Sequence, residues 1–158
     1  MLRVSFKKYF IIGWFGLALY FSSYPARADI ETLFSNEKKS DIQTNDIPVV
    51  ESAIEKATGM KGATVEIEWG SFKNVSYSAA QGVGGNLQTL ARSVVNGDAE
   101  LKKNLGLKVK KYILKNDVAQ TVPAFKLDKN SLYFIVNYEK PDWNKAGPLK
   151  ELMKKAVK

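Results

Sequence analysis

The sequence contains neither cysteine nor histidine, and this absence constrains its fold and chemistry more than any other feature. Without cysteine the chain cannot form a disulfide or a thiolate metal site, so a folded domain must be held together by side-chain packing alone. Without histidine it lacks the commonest general base near neutral pH and the commonest metal ligand. Ser-His-Asp sites, Cys-His sites and histidine-ligated zinc are excluded. Carboxylate pairs, lysine or tyrosine bases and oxygen-ligated Ca²⁺ or Mg²⁺ remain possible.

The first 28 residues have the three-part pattern of a cleavable export signal. Basic residues precede an apolar run over 9–21, and small side chains follow at Ala26 and Ala28, the −3 and −1 positions of a cleavage site. The apolar run is shorter than the roughly 20 residues that a membrane-spanning helix needs. We therefore expect a periplasmic or secreted mature protein that begins at Asp29 and has no stable membrane insertion.

After the export signal, the sequence predicts a flexible arm over 29–46 and a single domain over 47–158. The arm is polar, with only scattered apolar residues. In the domain, apolar residues at helical spacing alternate with runs that are typical of strands. Predicted helices start at Pro48, Asn86 and Pro148, with a helical turn over 101–105, and predicted strands cover 63–69, 72–77, 107–115, 121–127 and 131–138.

The order of these elements predicts an α+β fold, with a mostly antiparallel sheet of four to five strands and about three helices on one face. The run SLYFIVNY (131–138) has the highest β-propensity in the chain, so we expect it to form a buried central strand. The preceding Asp128-Lys129-Asn130 favours a hairpin turn. In LKVKKYILK (107–115) the alternation slips at Lys110-Lys111, which indicates a bulge or an edge strand.

A glycine-rich loop over 82–86, GVGGN, is the first candidate binding segment. Glycines before a helix can offer backbone N–H groups to an anion. However, the spacing matches neither the dinucleotide-binding glycine motif nor a phosphate-binding loop. A mobile loop is the simpler interpretation, because glycine has wide conformational freedom. The candidate residues are Gly82, Gly84, Gly85 and Asn86.

A basic strand is the second candidate, with Lys108, Lys110 and Lys111 beside Tyr112 and with Lys115 further on. Basic residues that flank an aromatic side chain can contact an anionic polymer. Lysine on an edge strand also prevents sheets from aggregating. Both interpretations remain open from the sequence.

The charge distribution gives this basic strand its context. The net charge of +8 includes four basic residues in the export signal, so the rest of the chain carries +4. That charge is uneven, because residues 29–97 carry −3 and residues 98–158 carry +7. The asymmetry fits a basic face for an anionic partner, and it also fits an ordinary solvated surface.

Two smaller features complete the candidates. Glu66 and Glu68 lie on the same side of a predicted strand, about 7 Å apart. That arrangement could serve glycoside hydrolysis or calcium binding, although a solvated strand face shows the same alternation. Trp143 lies in a polar segment after a strand, where it could contact a sugar or a peptide or could cap the core.

Together these features predict an exported, non-catalytic binding or accessory protein. Its partner would be another envelope or extracellular protein, or an anionic polymer, and not a nucleic acid. The alternatives are a carboxylate-dependent hydrolase of envelope glycans and a basic polyanion-binding protein. No residue set predicts a catalytic or metal site, and no cofactor is expected.

Overall fold

The computed structural model describes residues 36–73, 75 and 81–158, which belong to one compact unit. The predicted export signal lies outside the described residues. None of the helices in these ranges is long and apolar enough to cross a lipid bilayer. The elements are α1 (Ile47–Thr58), β1 (Thr64–Ile67), α2 (Gly82–Val95), α3 (Ala99–Lys108), β2 (Lys111–Asn116), β3 (Ala124–Asp128), β4 (Ser131–Val136) and α4 (Leu149–Ala156), with 3₁₀ turns at Trp69–Phe72 and Trp143–Lys145.

The four strands form one mixed sheet in the order β1-β2-β4-β3. Strand β2 pairs in parallel with β1 and with β4, whereas β3 and β4 form an antiparallel hairpin. The α+β class and the central position of β4 are confirmed. The prediction of a mostly antiparallel sheet is wrong, because the helical connection between β1 and β2 makes these strands run in the same direction. Strand β2 is also internal, not at an edge.

Residues 36–46 are helical, which corrects the prediction of a flexible arm. Residues 36–41 are α-helical, and Ile42–Asp46 forms a π-helical turn that leads directly into α1. Ile42 is only 1% exposed and belongs to the hydrophobic core. Burial of this side chain anchors a segment that its polar composition predicted to be flexible. Residues 29–35 of the predicted arm lie outside the described residues.

The core lies on one face of the sheet. Val65, Tyr112 and Leu132 are in register on three neighbouring strands and are all buried in the same core. The opposite face carries charged residues, among them Glu66 and Lys111. This one-sided burial explains the alternation of buried and more exposed residues along β1 and β4. The helices contribute Val50, Ile54, Val83, Leu87, Leu90, Val94, Leu101, Leu105 and Met153 to the core.

The second predicted strand, over 72–77, is not formed in its described part. Phe72 is the last residue of the 3₁₀ turn Trp69–Phe72, and it is buried against the core. Residues 74, 76 and 77 lie outside the described residues. The turn takes the chain out of β1 immediately after Glu68.

Gly106 allows α3 to pack closely against the end of α1. A Cβ atom at this position would lie 2.7 Å from the backbone carbonyl oxygen of Thr58, which is inside van der Waals contact. Backbone atoms cannot rotate away as a flexible side chain can. Glycine is therefore retained inside a helix at this position, although it lowers helix propensity.

We expect Gly106→Ala to destabilise the fold by about 1–3 kcal/mol, because the clash with Thr58 exceeds the gain in helix propensity. Gly85→Ala is the matched control, since a Cβ on Gly85 has nothing within 4 Å. That variant should be neutral or should raise stability by about 0.5–1 kcal/mol. Urea unfolding curves measure both changes, and equal stability of the two variants would contradict the close contact.

Phe134 should be a major contributor to stability. It is fully buried on the central strand β4 and stacks on Phe125 with ring centroids 4.7 Å apart. We expect Phe134→Ala to lower the free energy of unfolding by about 3–5 kcal/mol, measured from urea midpoints. Lys126→Ala, at an exposed position of β3, is the control and should change it by less than about 0.5 kcal/mol.

Candidate functional site

A pocket of about 440 Å³ lies where the carboxyl end of β4 meets the first turns of α2. Helix α2 belongs to the connection between the parallel strands β1 and β2. In sheets with parallel strands, ligands commonly bind at the carboxyl ends of the strands, beside the start of a crossover helix. The pocket occupies such a position. Its walls are Gly82, Gly85, Asn86 and Thr89 from α2, Val136 and Tyr138 from the end of β4, and Pro141, Trp143 and Leu149.

The glycine segment forms the first turn of α2, which corrects the prediction of a loop. Its glycines have different surroundings. A Cβ on Gly84 would lie 3.0 Å from Asp46 Oδ2, a contact that the flexible Asp46 side chain would have to adjust to. Gly84 does not line the pocket, whereas Gly82 and Gly85 do.

At Gly85, no packing contact with a described residue explains why the position is a glycine. A Cβ at this position would have nothing within 4 Å, and yet glycine in a helix costs up to about 1 kcal/mol relative to alanine. Because Gly85 lines the pocket, the missing side chain leaves one wall open. A residue that lowers local stability without a packing role is typical of a functional site.

Two polar side chains of α2 face the pocket. The Thr89 hydroxyl donates to the Gly85 carbonyl oxygen at 2.9 Å, which leaves its oxygen able to accept a hydrogen bond. The Asn86 amide, one turn earlier, carries both donors and an acceptor. Asn86 is half-buried. The pocket therefore offers hydrogen-bonding groups on one wall.

Tyr138 contributes a buried aromatic wall. Its ring packs edge-on against Phe72, with centroids 4.8 Å apart. Burial raises the pKa of the Tyr138 hydroxyl, and the neighbouring Asn86 side chain opposes this shift. The hydroxyl oxygen is itself buried and has no well-aligned hydrogen bond within the described part of the chain. Tyr138 therefore presents its ring and not its hydroxyl to a ligand.

Trp143 is the exposed aromatic wall, with 39% of its surface accessible. It packs against the buried Phe134, with centroids 6.4 Å apart. It also begins a 3₁₀ turn that Asp142 caps, because Asp142 accepts from the Lys145 backbone N–H at 3.3 Å and pairs with Lys145 Nζ at 2.9 Å. The hydrogen bond from Lys145 lowers the pKa of Asp142. The ring is thus packed on Phe134, and the turn that carries it is capped by Asp142.

Asn116, the last residue of β2, ties the pocket wall to the sheet. Its side-chain carbonyl accepts from the Tyr138 backbone N–H at 3.1 Å, and its amide donates to the Ser71 carbonyl oxygen at 2.9 Å. Asn116 is 7% exposed, so these bonds replace water almost completely. It acts as a positioning residue for Tyr138.

Asn137 shapes the turn that follows β4. Its side-chain oxygen accepts from the backbone N–H groups of Glu139 and Lys140, at 3.1 Å and 3.0 Å, and its amide donates to the Val118 carbonyl oxygen at 2.9 Å. Neither asparagine was predicted from the sequence to have a role at this site. The sequence pattern that could have identified them is an asparagine at the end of each β-prone run, where an apolar or charged residue is more usual.

The candidate basic strand does not form one surface. Lys108 is the last residue of α3, and its ammonium group donates to the Val157 carbonyl oxygen at 2.8 Å. Lys110 is exposed before β2, and Lys111 lies on the open face of the sheet. Tyr112 is fully buried in the core, so its prediction as a surface contact residue is wrong. None of these residues lines the pocket.

The glutamate pair is matched by lysines on the same open face. Glu66 Oε1 lies 2.7 Å from Lys111 Nζ, and Glu68 Oε1 lies 3.2 Å from Lys115 Nζ. Cross-strand pairs of this kind stabilise neighbouring strands modestly. Within the described ranges, no three acidic side chains are grouped so that they could hold a metal ion.

The stability of the 3₁₀ turn at Trp143 should depend on pH, because Asp142 caps this turn. Because its folded pKa lies below the ordinary value of 3.8, the ion pair is intact above pH 3.8 and is lost as pH falls through the folded value. With Trp14 and Trp69 replaced by Phe, Trp143 emission should change in that acidic range. Asp142→Asn should abolish the change, while Asp98→Asn, at a second carboxylate with a lowered pKa, should retain it. An identical transition in all three proteins would contradict this role of Asp142.

No protein family, curated protein or solved structure gives a significant match to this chain. The candidate site is therefore defined by geometry alone. Of the residues that the sequence singled out, Gly82, Gly85, Asn86 and Trp143 come together in the pocket, and Gly84 and the basic strand lie elsewhere.

Proposed function

We propose that this protein is an exported, non-catalytic binding protein and that the pocket beside α2 is its binding site. The observation that carries the proposal is Gly85, a helical glycine that has open space around it and lines the pocket. The aromatic wall around Tyr138 and Trp143 supports it, because pre-formed concave sites with aromatic and a few polar groups are typical ligand sites. A pre-formed site loses little conformational entropy when its ligand binds, and this favours affinity.

The export pattern at residues 1–28 supports a periplasmic or secreted location. The partner is then another envelope or extracellular molecule. None of the described lining residues is charged, which favours an uncharged part of that partner over an anionic polymer. Among the lysines that motivated a polyanion-binding function, Lys111 and Lys115 are each paired with a glutamate and Lys108 donates to a backbone carbonyl oxygen, which weakens that alternative.

A carboxylate-dependent hydrolase is less well supported. Glu66 and Glu68 are each paired with a lysine on the open face of the sheet, and neither lines the pocket. The paired arrangement suits strand stabilisation better than proton transfer.

The proposal is tested by capture of partners from an envelope extract with the purified protein and its variants. We expect Trp143→Ala and Gly85→Ala to lose the partner, because one removes a pocket wall and the other fills the opening. Gln88→Ala, at an exposed site on the same helix, should capture it like the parent. Since Gly85→Ala should not lower stability, loss of its partner cannot be attributed to unfolding.

Two further variants separate the alternatives. Lys110→Glu with Lys111→Glu, and Glu66→Gln with Glu68→Gln, should both retain the partner. Capture that is lost only in the lysine variant would favour polyanion binding. Glycan hydrolysis by the parent that disappears only in the glutamate variant would establish the hydrolase instead.

A further inference from the structure

We infer that the pocket binds a neutral sugar ring of a glycan, an inference that rests on the proposed binding function. The pocket has three properties that a sugar ring requires together: an uncharged lining, an exposed aromatic face and side chains that hydrogen-bond hydroxyl groups. Each is set by different residues of the described structure.

The described part of the lining carries no formal charge in a chain where charged residues are frequent. A quarter of all residues are Asp, Glu, Lys or Arg, but none of the nine described lining residues is charged. The nearest charged side chain in sequence to Trp143 is Asp142, whose carboxylate is already paired with Lys145 at 2.9 Å. An ionic ligand would lose its hydration without gaining a counter-charge, so a neutral ligand is favoured.

Trp143 supplies the aromatic face. An indole ring is electron-rich over its face, and the C–H groups on one side of a pyranose ring carry partial positive charge, so the two surfaces attract each other and exclude water. The Trp143 ring packs on Phe134, and the capped 3₁₀ turn fixes the backbone that carries this ring. Little side-chain entropy is therefore lost on binding.

Asn86 and Thr89 supply the polar side. Thr89 already donates its proton to the Gly85 carbonyl oxygen, so its hydroxyl is left as an acceptor for a ligand O–H. The Asn86 amide can donate and accept at once, which matches neighbouring hydroxyl groups on a sugar. The volume of about 440 Å³ has room for roughly one to two sugar rings, at the lower end of ligand pockets.

A peptide segment fits the pocket less well. Extended peptides commonly add to a free strand edge, but β4 is paired on both sides, with β2 and β3. Proline-rich peptides dock between several exposed aromatic ridges. Of the two aromatic residues in the described lining, Trp143 is exposed and Tyr138 is only 6% exposed.

The test is calorimetric titration of the protein purified from the full chain with chitotetraose, maltotetraose and cellotetraose. A proline hexapeptide and a sulfated polysaccharide are titrated in parallel. We expect saturable binding of at least one neutral oligosaccharide. Trp143→Ala should weaken it at least about tenfold, as expected for a central aromatic contact. Asn86→Ala and Gly85→Ala should also weaken it, and Gln88→Ala should not.

The outcomes separate this inference from the proposed function. If none of the oligosaccharides binds but Trp143→Ala and Gly85→Ala still lose the captured partner, the sugar inference is overturned and the binding function stands. Binding of the proline hexapeptide through Trp143, without sugar binding, has the same meaning. If the pocket variants change neither sugar binding nor partner capture, both proposals fail.

Discussion

Parallel pairing of β2 with both β1 and β4 is the constraint on which the rest of the structure depends. It brings the carboxyl ends of the three strands β1, β2 and β4 to the same end of the sheet. The backbone leaves the sheet there through Glu68, Asn116 and Asn137, and the unpaired groups beyond the strand ends need new partners. Asn116 provides several of these bonds, and the same end of the sheet receives the first turn of α2. The pocket is a consequence of this meeting of strand ends and helix start.

One-sided burial of the sheet explains what the sequence could and could not predict. In β2, Tyr112, Leu114 and Asn116 point to the core, while Lys111, Ile113 and Lys115 lie on the open face, where Ile113 is nevertheless only 9% exposed. The apparent slip at Lys110-Lys111 marks the boundary between α3 and β2 and not a bulge. The β-prone composition located the four strands that form, but it also predicted a strand over 72–77 that is not formed in its described part, and it began the strand over 107–115 inside α3. Their direction depends on the connections, and no local pattern reports it.

At the first turn of α2, by contrast, local residue propensity predicted the wrong secondary structure. Three glycines between 82 and 85 argue for a loop on propensity alone, yet the chain is helical from Gly82. The overriding signal was available, because Val83, Leu87, Leu90 and Val94 follow helical spacing and all are buried. Tertiary burial of this stripe outweighs the low propensity of the glycines. Each glycine then had to be explained by its surroundings, which the sequence does not contain.

The shape of the pocket depends on the hydrogen bonds of two buried amides as well as on apolar packing. An amide that is buried without hydrogen-bond partners lowers the folding equilibrium constant by several factors of about ten. Asn116 and Asn137 are therefore tolerated only in conformations that provide hydrogen-bond partners for their amide groups. Those conformations fix the backbone of Tyr138 and of the turn after it. A change in the pocket wall is therefore coupled to the pairing of β2 and β4. The same hydrogen bonds that close the carboxyl ends of β2 and β4 therefore also shape the wall of the pocket.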